Sequence, residues 1–322
     1  MASLKEIKDR IASINSTRKI TSAMKMVASS KLHHAQVMIE NMLPYERMLE
    51  HILKTFLASE IDAQTVYSEE RPVKRVAIIA FSSNSSLCGG FNANIIKAMQ
   101  KAVDDYKGLG LENILIYPVG RKVAEKAAKL GFPVAGDFNN LCDHPDIDGC
   151  VDIARDVATK FSKGEIDKVE LIYHHFKSAG SQVLKRKTYL PIDITEVDFN
   201  EEKGRDLKTQ IATKETQEYI ARHAREEAEK ANENVEPLND NFIVEPDMYT
   251  VLSKLIPQYL HLKVYTSLLD SNASEHAARM VAMQTATDNA DELLRVLNLQ
   301  YNKSRQQAIT NELLDLAGGS QD

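Results

Sequence analysis

The chain has 322 residues, with 40 lysines and arginines against 46 aspartates and glutamates, which gives a formal net charge of −6. This balance argues against a protein that binds nucleic acid through its overall charge. Hydrophobic residues make up 43% and charged residues 27%, which excludes a disordered chain. Tryptophan is absent, and aromatic residues, glycine and proline are scarce. That scarcity argues against a β-sandwich or β-barrel and favours a helix-rich protein.

The three cysteines, Cys88, Cys142 and Cys150, are too few and odd in number for a disulfide framework, which favours a reducing compartment. No apolar run approaches the roughly 20 residues of a membrane span, so we expect no direct span. The N-terminus enters a helical pattern at once, unlike a signal or transit peptide. We therefore expect a bacterial cytoplasmic protein or one peripheral to a membrane.

A helical pattern runs from Leu4 to about Leu57, with one proline, Pro44, and no glycine. This length exceeds that of a globular helix and predicts a coiled coil. One heptad row is apolar or small throughout: Ile7, Ile14, Thr21, Ala28, Ala35, Met42, Leu49 and Phe56. The companion row carries Arg18 and Lys25 where a simple dimer would place Ile or Leu, so we expect the seam to be interrupted there.

A second pattern without proline or glycine runs from Gln258 to Ala317 and stops at Gly318 and Gly319. Its seam, at a period of 3.5, is rich in small residues: Ala273, His276, Met280, Met283, Thr287, Ala290, Leu294, Leu297, Tyr301, Ser304 and Ala308. At about 1.5 Å per residue, each helix would be on the order of 80–90 Å long. Neither fits inside a globule of this size, so each must pair with the other, with another chain, or with both.

Between the helical patterns the chain alternates predicted strands with predicted helices. The strands cover residues 73–81, 113–119 and 168–176, and the helices cover 92–106, 121–130 and 147–161, with a weaker unit from Phe132. Residues 182–194 follow a turn and predict an antiparallel hairpin at the sheet edge. The pattern predicts a small, mostly parallel, Rossmann-like α/β sheet with helices on its faces.

The composition divides the chain into four expected segments. They are an N-terminal coiled-coil helix (1–58), an α/β domain (72–197), a charged helical insertion (198–240), and a C-terminal strand or linker followed by a coiled-coil helix (241–318). Residues 196–236 hold 12 acidic and 7 basic residues with few large apolar ones, which is typical of a solvated insertion or lid.

The most enzyme-like stretch is residues 82–92, between a predicted strand and a predicted helix, where α/β folds bind phosphates. Cys88 precedes two glycines there, but the stretch lacks the P-loop and G-x-G-x-x-G patterns, and no base is tied to Cys88. The adjacent histidine pairs at 33–34 and 174–175 lack zinc-site spacing. We therefore expect no catalytic, cofactor-binding or metal site, and no cofactor.

A polar cluster, Arg305, Gln306, Thr310 and Glu312, lies late in the second helical pattern. Such a cluster is typical of a solvated helix face. Together with the basic residues that interrupt the first seam, it is also what a shaft would carry if its surface made polar contacts with a surrounding partner.

Over nearly its whole length, the chain resembles the bacterial-type gamma subunits of F-type, proton-translocating ATP synthases. The motifs that carry the resemblance are INSTRKITSAMKMVA (14–28), LCGGFN (87–92), ASEHAARMVAM (273–283), ATDNA (286–290) and YNKSRQQAITNEL (301–313). Two features depart from the family. Asn84-Ser85-Ser86 stands where the family usually has Asp-Arg-Gly, which removes a salt-bridging pair, and the acidic insertion is longer than usual.

The resemblance implies an antiparallel coiled coil of the two terminal helices, inserted through a ring of three alpha and three beta subunits. The α/β domain would lie below it, against a membrane c ring and beside the epsilon subunit. The chain would be a non-catalytic rotor of the central stalk that couples proton flow to ATP synthesis and hydrolysis, peripheral on the cytoplasmic side of the cell inner membrane. The implied rotor-to-beta contacts are Met24, Lys25, Arg305, Gln306, Thr310 and Glu312.

Two other classes remain open from the residues. A static coiled-coil scaffold would form a homodimer through its helices and ignore alpha and beta subunits. A small α/β enzyme with helical arms would lose its turnover when Cys88 is blocked.

Overall fold

The computed structural model describes residues 4–58, 66–192 and 243–318 of the chain. Its helices and strands, in chain order, are α1 (Leu4–Ala58), β1 (Val76–Phe81), α2 (Phe91–Asp105), β2 (Ile114–Val119), α3 (Arg121–Leu130), α4 (Asn140–Asp143), α5 (Ile147–Ser162), β3 (Lys168–Ser178), β4 (Ser181–Leu190) and α6 (Met248–Gly318). Short 3₁₀ turns at Lys107–Leu109 and Leu111–Asn113 connect α2 to β2. The predicted charged insertion, 198–240, lies outside the described residues.

Helix α1 is continuous over 55 residues, with Pro44 inside it. Pro44 has no amide hydrogen, so the carbonyl of Glu40 lacks its usual helical donor. Both residues are exposed, so this carbonyl is accessible to water. The predicted heptad row from Ile7 is confirmed as the inner side of the helix, because every member is buried or half-buried. The row continues to Phe56, so one face of α1 is apolar along its whole length.

Helix α6 has 71 residues and begins ten positions earlier than the predicted pattern, passing through Pro257. The prediction stopped at the proline, but tertiary packing carries the helix past it. Leu252, Ile256 and Leu260 are buried at a spacing of four residues on one side. Asp247 caps the first turn, accepting hydrogen bonds from the Thr250 amide (2.8 Å) and hydroxyl (2.7 Å).

The four strands form one sheet in the order β2-β1-β3-β4. β1 lies between β2 and β3 and is parallel to both, with Ile78 opposite Ile116 and Ile79 opposite Leu171. β4 is antiparallel to β3 at the edge. This confirms the predicted mixed α/β topology, including the hairpin, while the weaker unit from Phe132 contributes only an isolated bridge between Val134 and Ile116.

Each face of the sheet has its own core. On one face, β-strand residues such as Ile78 and Ile116 pack against Ile95 and Met99 of α2 and Val123 of α3. The opposite face belongs to a larger core that includes α5, α6 and the second half of α1: Ile79, Phe81, Leu171, Val157, Phe161, Leu268 and Leu53 are members. The sheet is therefore covered by helices on both faces, and α6 is one of the covering helices.

Candidate functional site

The two long helices pack against each other in antiparallel directions, and we call them the helix pair. Glu46 of α1 lies beside Lys263 of α6, whereas Thr21 lies beside Thr287, with 2.8 Å between their hydroxyl oxygens. In α6, the predicted seam from Ala273 to Ala308 is buried or half-buried at every position. The prediction that the two helices pair is thus confirmed within one chain.

Arg18, which interrupts the predicted seam of α1, has a partner within the helix pair. Its Nη1 atom donates a hydrogen bond of 3.1 Å to Oδ1 of Asp291 on α6. Both side chains are substantially exposed, so the ion pair adds little stability. The ion pair instead helps to fix the register of the two helices, because it lies one turn away from the contact between Thr21 and Thr287.

The predicted contact residues fall at two levels of the helix pair. Met24 and Lys25 are half-buried on α1, about one turn beyond Thr21. On α6, Arg305, Gln306 and Thr310 are exposed, and the hydroxyl of Thr310 donates to the Gln306 carbonyl (2.9 Å). Glu312 lies in the helix, but its side chain is outside the described residues.

The structure does not bring these two groups together. By the register of Thr21 with Thr287, Lys25 lies near the level of Met283 on α6. Met283 and Arg305 are separated by roughly 30 Å along the helix axis, at about 1.5 Å per residue. A partner that touches both groups must therefore extend along several turns of the helix pair.

Large apolar side chains are exposed on the part of the helix pair that lies beyond the sheet domain. Those that are more than half exposed are Ile20, Met26, Val27, Leu293, Leu299, Leu313 and Leu314. Single exposed apolar residues are ordinary, but several along the same shaft indicate an interaction surface. This surface surrounds the predicted polar contacts.

Polar bonds attach α6 to the sheet domain below this surface. The hydroxyl of Tyr189 donates to the Leu260 carbonyl (2.9 Å), and Asn272 Nδ2 donates to the Cys142 carbonyl (2.7 Å). His175 Nδ1 lies 2.8 Å from Oδ2 of Asp270, and both side chains are buried. Ser274 of α6 donates to the His174 carbonyl of β3 (3.3 Å), and further along its length α6 passes the loop that follows β1.

The loop of residues 82–90, between β1 and α2, is closed by its own hydrogen bonds; we call it the β1–α2 loop. The Ser83 amide donates to Oδ1 of Asn92 (3.1 Å), and Asn92 Nδ2 lies 3.1 Å from the sulfur of Cys88. Leu87 has φ +69° and Gly89 has φ +57°. Leu87 thus adopts a backbone conformation that residues with a side chain rarely adopt.

Arg279 of α6 reaches this loop. Its Nη1 donates to the Ser86 carbonyl (2.7 Å) and its Nη2 to the Ser85 hydroxyl (2.8 Å). Its Nε also donates to Oε1 of Glu275, one turn earlier (2.9 Å). Ser85 and Ser86, which belong to the stretch that departs from the resembled family, thus accept hydrogen bonds from an arginine of α6.

Asn84, the first residue of that departure, caps the entrance of α3. Its Oδ1 accepts from the Arg121 amide (3.0 Å), while its Nδ2 donates to Oδ2 of Asp143 (2.7 Å). An aspartate at position 84 would place a second negative charge next to Asp143. The neutral amide of Asn84 avoids this repulsion and donates a hydrogen bond to Asp143 instead.

The cysteines do not form a reactive centre. Cys88, the candidate nucleophile of the enzyme alternative, is 2% exposed. Burial raises the pKa of Cys142, and burial followed by the charge of Asp146 raises the pKa of Cys150 to about 12. Thiols with raised pKa values stay protonated and are poor nucleophiles at neutral pH.

Both histidines of the 174–175 pair are buried. The His174 ring stacks on Phe91, with 4.5 Å between ring centroids, and burial lowers its pKa to about 4. Within the described ranges, no group of three or more His, Cys, Asp or Glu side chains could hold a metal ion.

A buried group of charges links the helix pair close to the sheet domain. Lys263 Nζ lies 3.2 Å from Oε1 of both Glu46 and Glu50, and the Thr266 hydroxyl donates to Glu46 (3.1 Å). Burial opposes the charge of Lys263, but Tyr259 and the two carboxylates raise its pKa well above the usual value. Sequence patterns do not reveal this group, because Lys263 is 217 positions from Glu46 and 213 from Glu50.

Comparison with known proteins identifies the family. The family model described as ATP synthase matches residues 3–321. The ATP synthase gamma chain of Phocaeicola vulgatus is 53% identical over 320 residues, covering 99% of each chain. The chain belongs to the ATP synthase gamma chain family. It is accordingly the central stalk subunit of the ATP synthase complex.

Two solved structures share the fold of this ATP synthase subunit. A chain of the Euglena gracilis mitochondrial ATP synthase has a TM-score of 0.57 at 15% identity, covering 98% of this chain and 93% of that chain. A chain from the central stalk and c ring of the Tetrahymena thermophila mitochondrial ATP synthase has a TM-score of 0.51 at 24% identity, with 83% and 99% covered. None of the described helices is long and apolar enough to cross a membrane.

Proposed function

We propose that this central stalk subunit is a rotor, which couples proton-driven rotation of a membrane c ring to ATP synthesis and hydrolysis on alpha and beta subunits. The observation that carries the proposal is the helix pair: it is built into the α/β domain at one end and exposes apolar and polar side chains along the rest of its length. A shaft that stands inside a ring of partner subunits needs this arrangement.

The physical requirements of a shaft support this assignment. Two helices packed side by side resist bending and twisting better than one, and the close-packed interior between them transmits strain. One elementary charge that crosses 100 mV releases about 2.3 kcal/mol, so several protons must pass for each large conformational change at a catalytic site. The shaft carries that energy mechanically, over a distance set by helix length.

We assign the rotor-to-beta contacts to two levels of the helix pair. Arg305, Gln306 and Thr310 supply exposed polar groups on α6, and Glu312 belongs to the same cluster by sequence. Met24 and Lys25 form a second level roughly 30 Å away. In this arrangement a partner contacts the helix pair at two levels. A rotating shaft then presses on different loops of that partner in succession.

The remaining parts of the proposal follow from the same assignment. The helix pair is an antiparallel coiled coil surrounded by three alpha and three beta subunits, and the α/β domain meets epsilon and the c ring. The chain has no catalytic site of its own and is peripheral on the cytoplasmic side of the cell inner membrane. Its segments are 1–58, 72–197, the insertion 198–240, and 241–318.

Co-expression with alpha and beta subunits from the same source tests the proposal. We expect an alpha-three beta-three gamma complex that hydrolyses ATP, and a lower ATPase rate when Arg305 and Gln306 are both changed to Ala. Arg155→Ala is a matched control, because Arg155 is exposed on α5 and pairs with Asp152 in the same helix. Its ATPase rate should equal that of the wild type.

Two outcomes would overturn the rotor assignment. If no complex forms and the chain purifies as a self-associated dimer, the static scaffold explains the helices better. If the isolated chain turns over a substrate and alkylation of Cys88 abolishes that turnover, the chain is an α/β enzyme with helical arms.

A further inference from the structure

We propose that Arg279 is a positioning residue that fixes the β1–α2 loop to α6, so that the sheet domain and the helix pair turn as one body. The inference rests on the rotor function proposed above, but the attachment itself is visible in the contacts. It assigns to one side chain the outermost hydrogen-bonded attachment between the domain and the shaft.

The arginine acts as a two-sided bridge. On the loop side, Nη1 and Nη2 donate to the Ser86 carbonyl and the Ser85 hydroxyl, at 2.7 and 2.8 Å. On the helix side, Nε and Nη2 both bond to the carboxylate of Glu275. Only a planar guanidinium can make these bonds at once, because a lysine ammonium is a point donor.

Glu275 holds the bridge in one orientation. Burial alone would raise the pKa of this carboxyl, but the close approach of His276 and Arg279 outweighs burial and lowers it, so the group is ionised. His276 Nδ1 lies 2.9 Å from Oε2 of Glu275. The Arg279 and Glu275 side chains are 13% and 10% exposed, so water screens their attraction far less than at an open surface.

The bridge lies at the outer end of the attachment. Closer to the start of α6, Asp270, Asn272 and Ser274 contact the sheet domain. Among the described residues, Arg279 is the last side chain of α6 in chain order that hydrogen-bonds to that domain. From there α6 runs roughly 40 Å further to Arg305. Of these attachments, the Arg279 bond is therefore the first that a load applied near Arg305 meets.

The loop is shaped to receive the helix. A Cβ atom placed on Gly89 would lie 3.9 Å from Cβ of Ala282, which is ordinary van der Waals contact, so the loop passes close to α6 at this point. Leu87, two residues before, keeps a positive φ, which persists only where the surroundings fix the backbone. Cys88 between them is 2% exposed, so access to its thiol reports whether the loop is held.

The first experiment measures the attachment in the full chain, without reference to rotation. We compare the rate of iodoacetamide labelling of Cys88, followed by peptide mass spectrometry, in wild type, Arg279→Gln, Arg279→Lys and Ser85→Ala. Loss of charge-assisted bonds should speed labelling about tenfold or more in both Arg279 variants, with a smaller increase for Ser85→Ala. Arg155→Gln, on exposed α5, should label at the wild-type rate.

Labelling at the wild-type rate in Arg279→Gln would overturn the attachment. Wild-type labelling in Arg279→Lys would overturn the role of the guanidinium fork and leave only a role for charge. Ser85→Ala keeps the test valid if an Arg279 variant does not fold, because it removes only the bond between Arg279 and the Ser85 hydroxyl. Labelling of Ser85→Ala at the wild-type rate would also count against the proposal.

The second experiment measures the ratio of proton pumping to ATP hydrolysis by the assembled ATP synthase in membrane vesicles. In Arg279→Gln we expect hydrolysis within about twofold of the wild type and pumping reduced several-fold, because the loop no longer braces α6 where the helix leaves the domain. If the paired Arg305 and Gln306 substitutions uncouple the enzyme while Arg279→Gln does not, only this inference fails. If neither affects the ratio, the proposed rotor function fails as well.

Discussion

Thr21 and Thr287 face each other across the helix pair, with their hydroxyl oxygens 2.8 Å apart. Each hydroxyl also lies within hydrogen-bond distance of a carbonyl in its own helix, that of Arg18 at 3.0 Å and that of Met283 at 2.8 Å. One threonine can therefore donate across the pair while the other donates to its own helix. The contact fixes the register of the two helices without leaving a buried hydroxyl unpaired.

We expect the double substitution of Thr21 and Thr287 by Val to be nearly neutral, because both polar groups are replaced by groups of the same shape. Each single substitution should cost about 1 kcal/mol or less, since the remaining hydroxyl still bonds to its own helix. Urea unfolding of the full chain, followed by circular dichroism, measures both. A double variant that loses more than the two single variants combined would contradict the pairing.

Lys263→Met should be strongly destabilising, because it leaves the carboxylates of buried Glu46 and half-buried Glu50 without their cation. The expected cost is about 3–5 kcal/mol. Lys254→Met, on the exposed side of the same helix, should change stability by less than about 0.5 kcal/mol. Adding Glu46→Gln and Glu50→Gln to the Lys263 variant should restore most of the loss in thermal unfolding; no recovery would show that the cost is not electrostatic.

Much of this fold could be predicted from the sequence because its periodic patterns are long. The row from Ile7 and the row from Ala273 are the inner sides of α1 and α6, and strand–helix alternation gave the sheet topology. The start of α6 was the main error in the described residues. Pro257 has a local preference against helix, but burial of neighbouring leucine and isoleucine side chains decides the outcome.

The candidate site could be predicted only in part. Spacing of Glu275 and Arg279 at i and i+4 predicts a bond within one helix, but not the bond from Arg279 to Ser86, 193 positions away. That contact depends on α6 passing the loop that follows β1, which local patterns do not encode. The placement of Arg305, Gln306 and Thr310 on an exposed surface agrees with the polar pattern, while their role in coupling stays a prediction.

Gly120→Ala should destabilise the sheet domain. Gly120 has φ +106°, and an added Cβ would lie 2.4 Å from the Ser82 carbonyl oxygen, so either the backbone or the β1–α2 loop must shift. We expect a cost of about 1–3 kcal/mol in the free energy of unfolding. Gly108→Ala is the control, because nothing lies within 4 Å of its added Cβ. Equal effects of the two substitutions would contradict this view of Gly120.

His174 should make the sheet domain less stable in acid. Its pKa is about 4 in the folded chain, because burial opposes its charge, and near 6.5 when unfolded. The unfolded chain therefore binds the extra proton between these values, so stability is full above pH 6.5 and falls as the pH drops towards 4. The loss is about 3 kcal/mol at the acidic end.

The variant His174→Phe should lack this part of the acid sensitivity, since a phenyl ring can keep the stacking on Phe91 and does not titrate. Urea unfolding midpoints of the full chain at pH 7.5 and pH 5 give the measurement. His33→Phe, at an exposed position of α1, should keep the wild-type difference between the two pH values. An unchanged pH dependence in the His174 variant would assign the acid sensitivity to other groups.

Helix α6 is a single unbroken element of 71 residues that first covers the sheet and then continues as half of the helix pair. The connection that α6 makes between domain and shaft is therefore a continuous helix and not a hinge. Turning one against the other would require bending a helix whose backbone hydrogen bonds run straight through the connection. The stiffness of the protein at this point is that of an α-helix, which curves only gently, with a radius on the order of 60–100 Å.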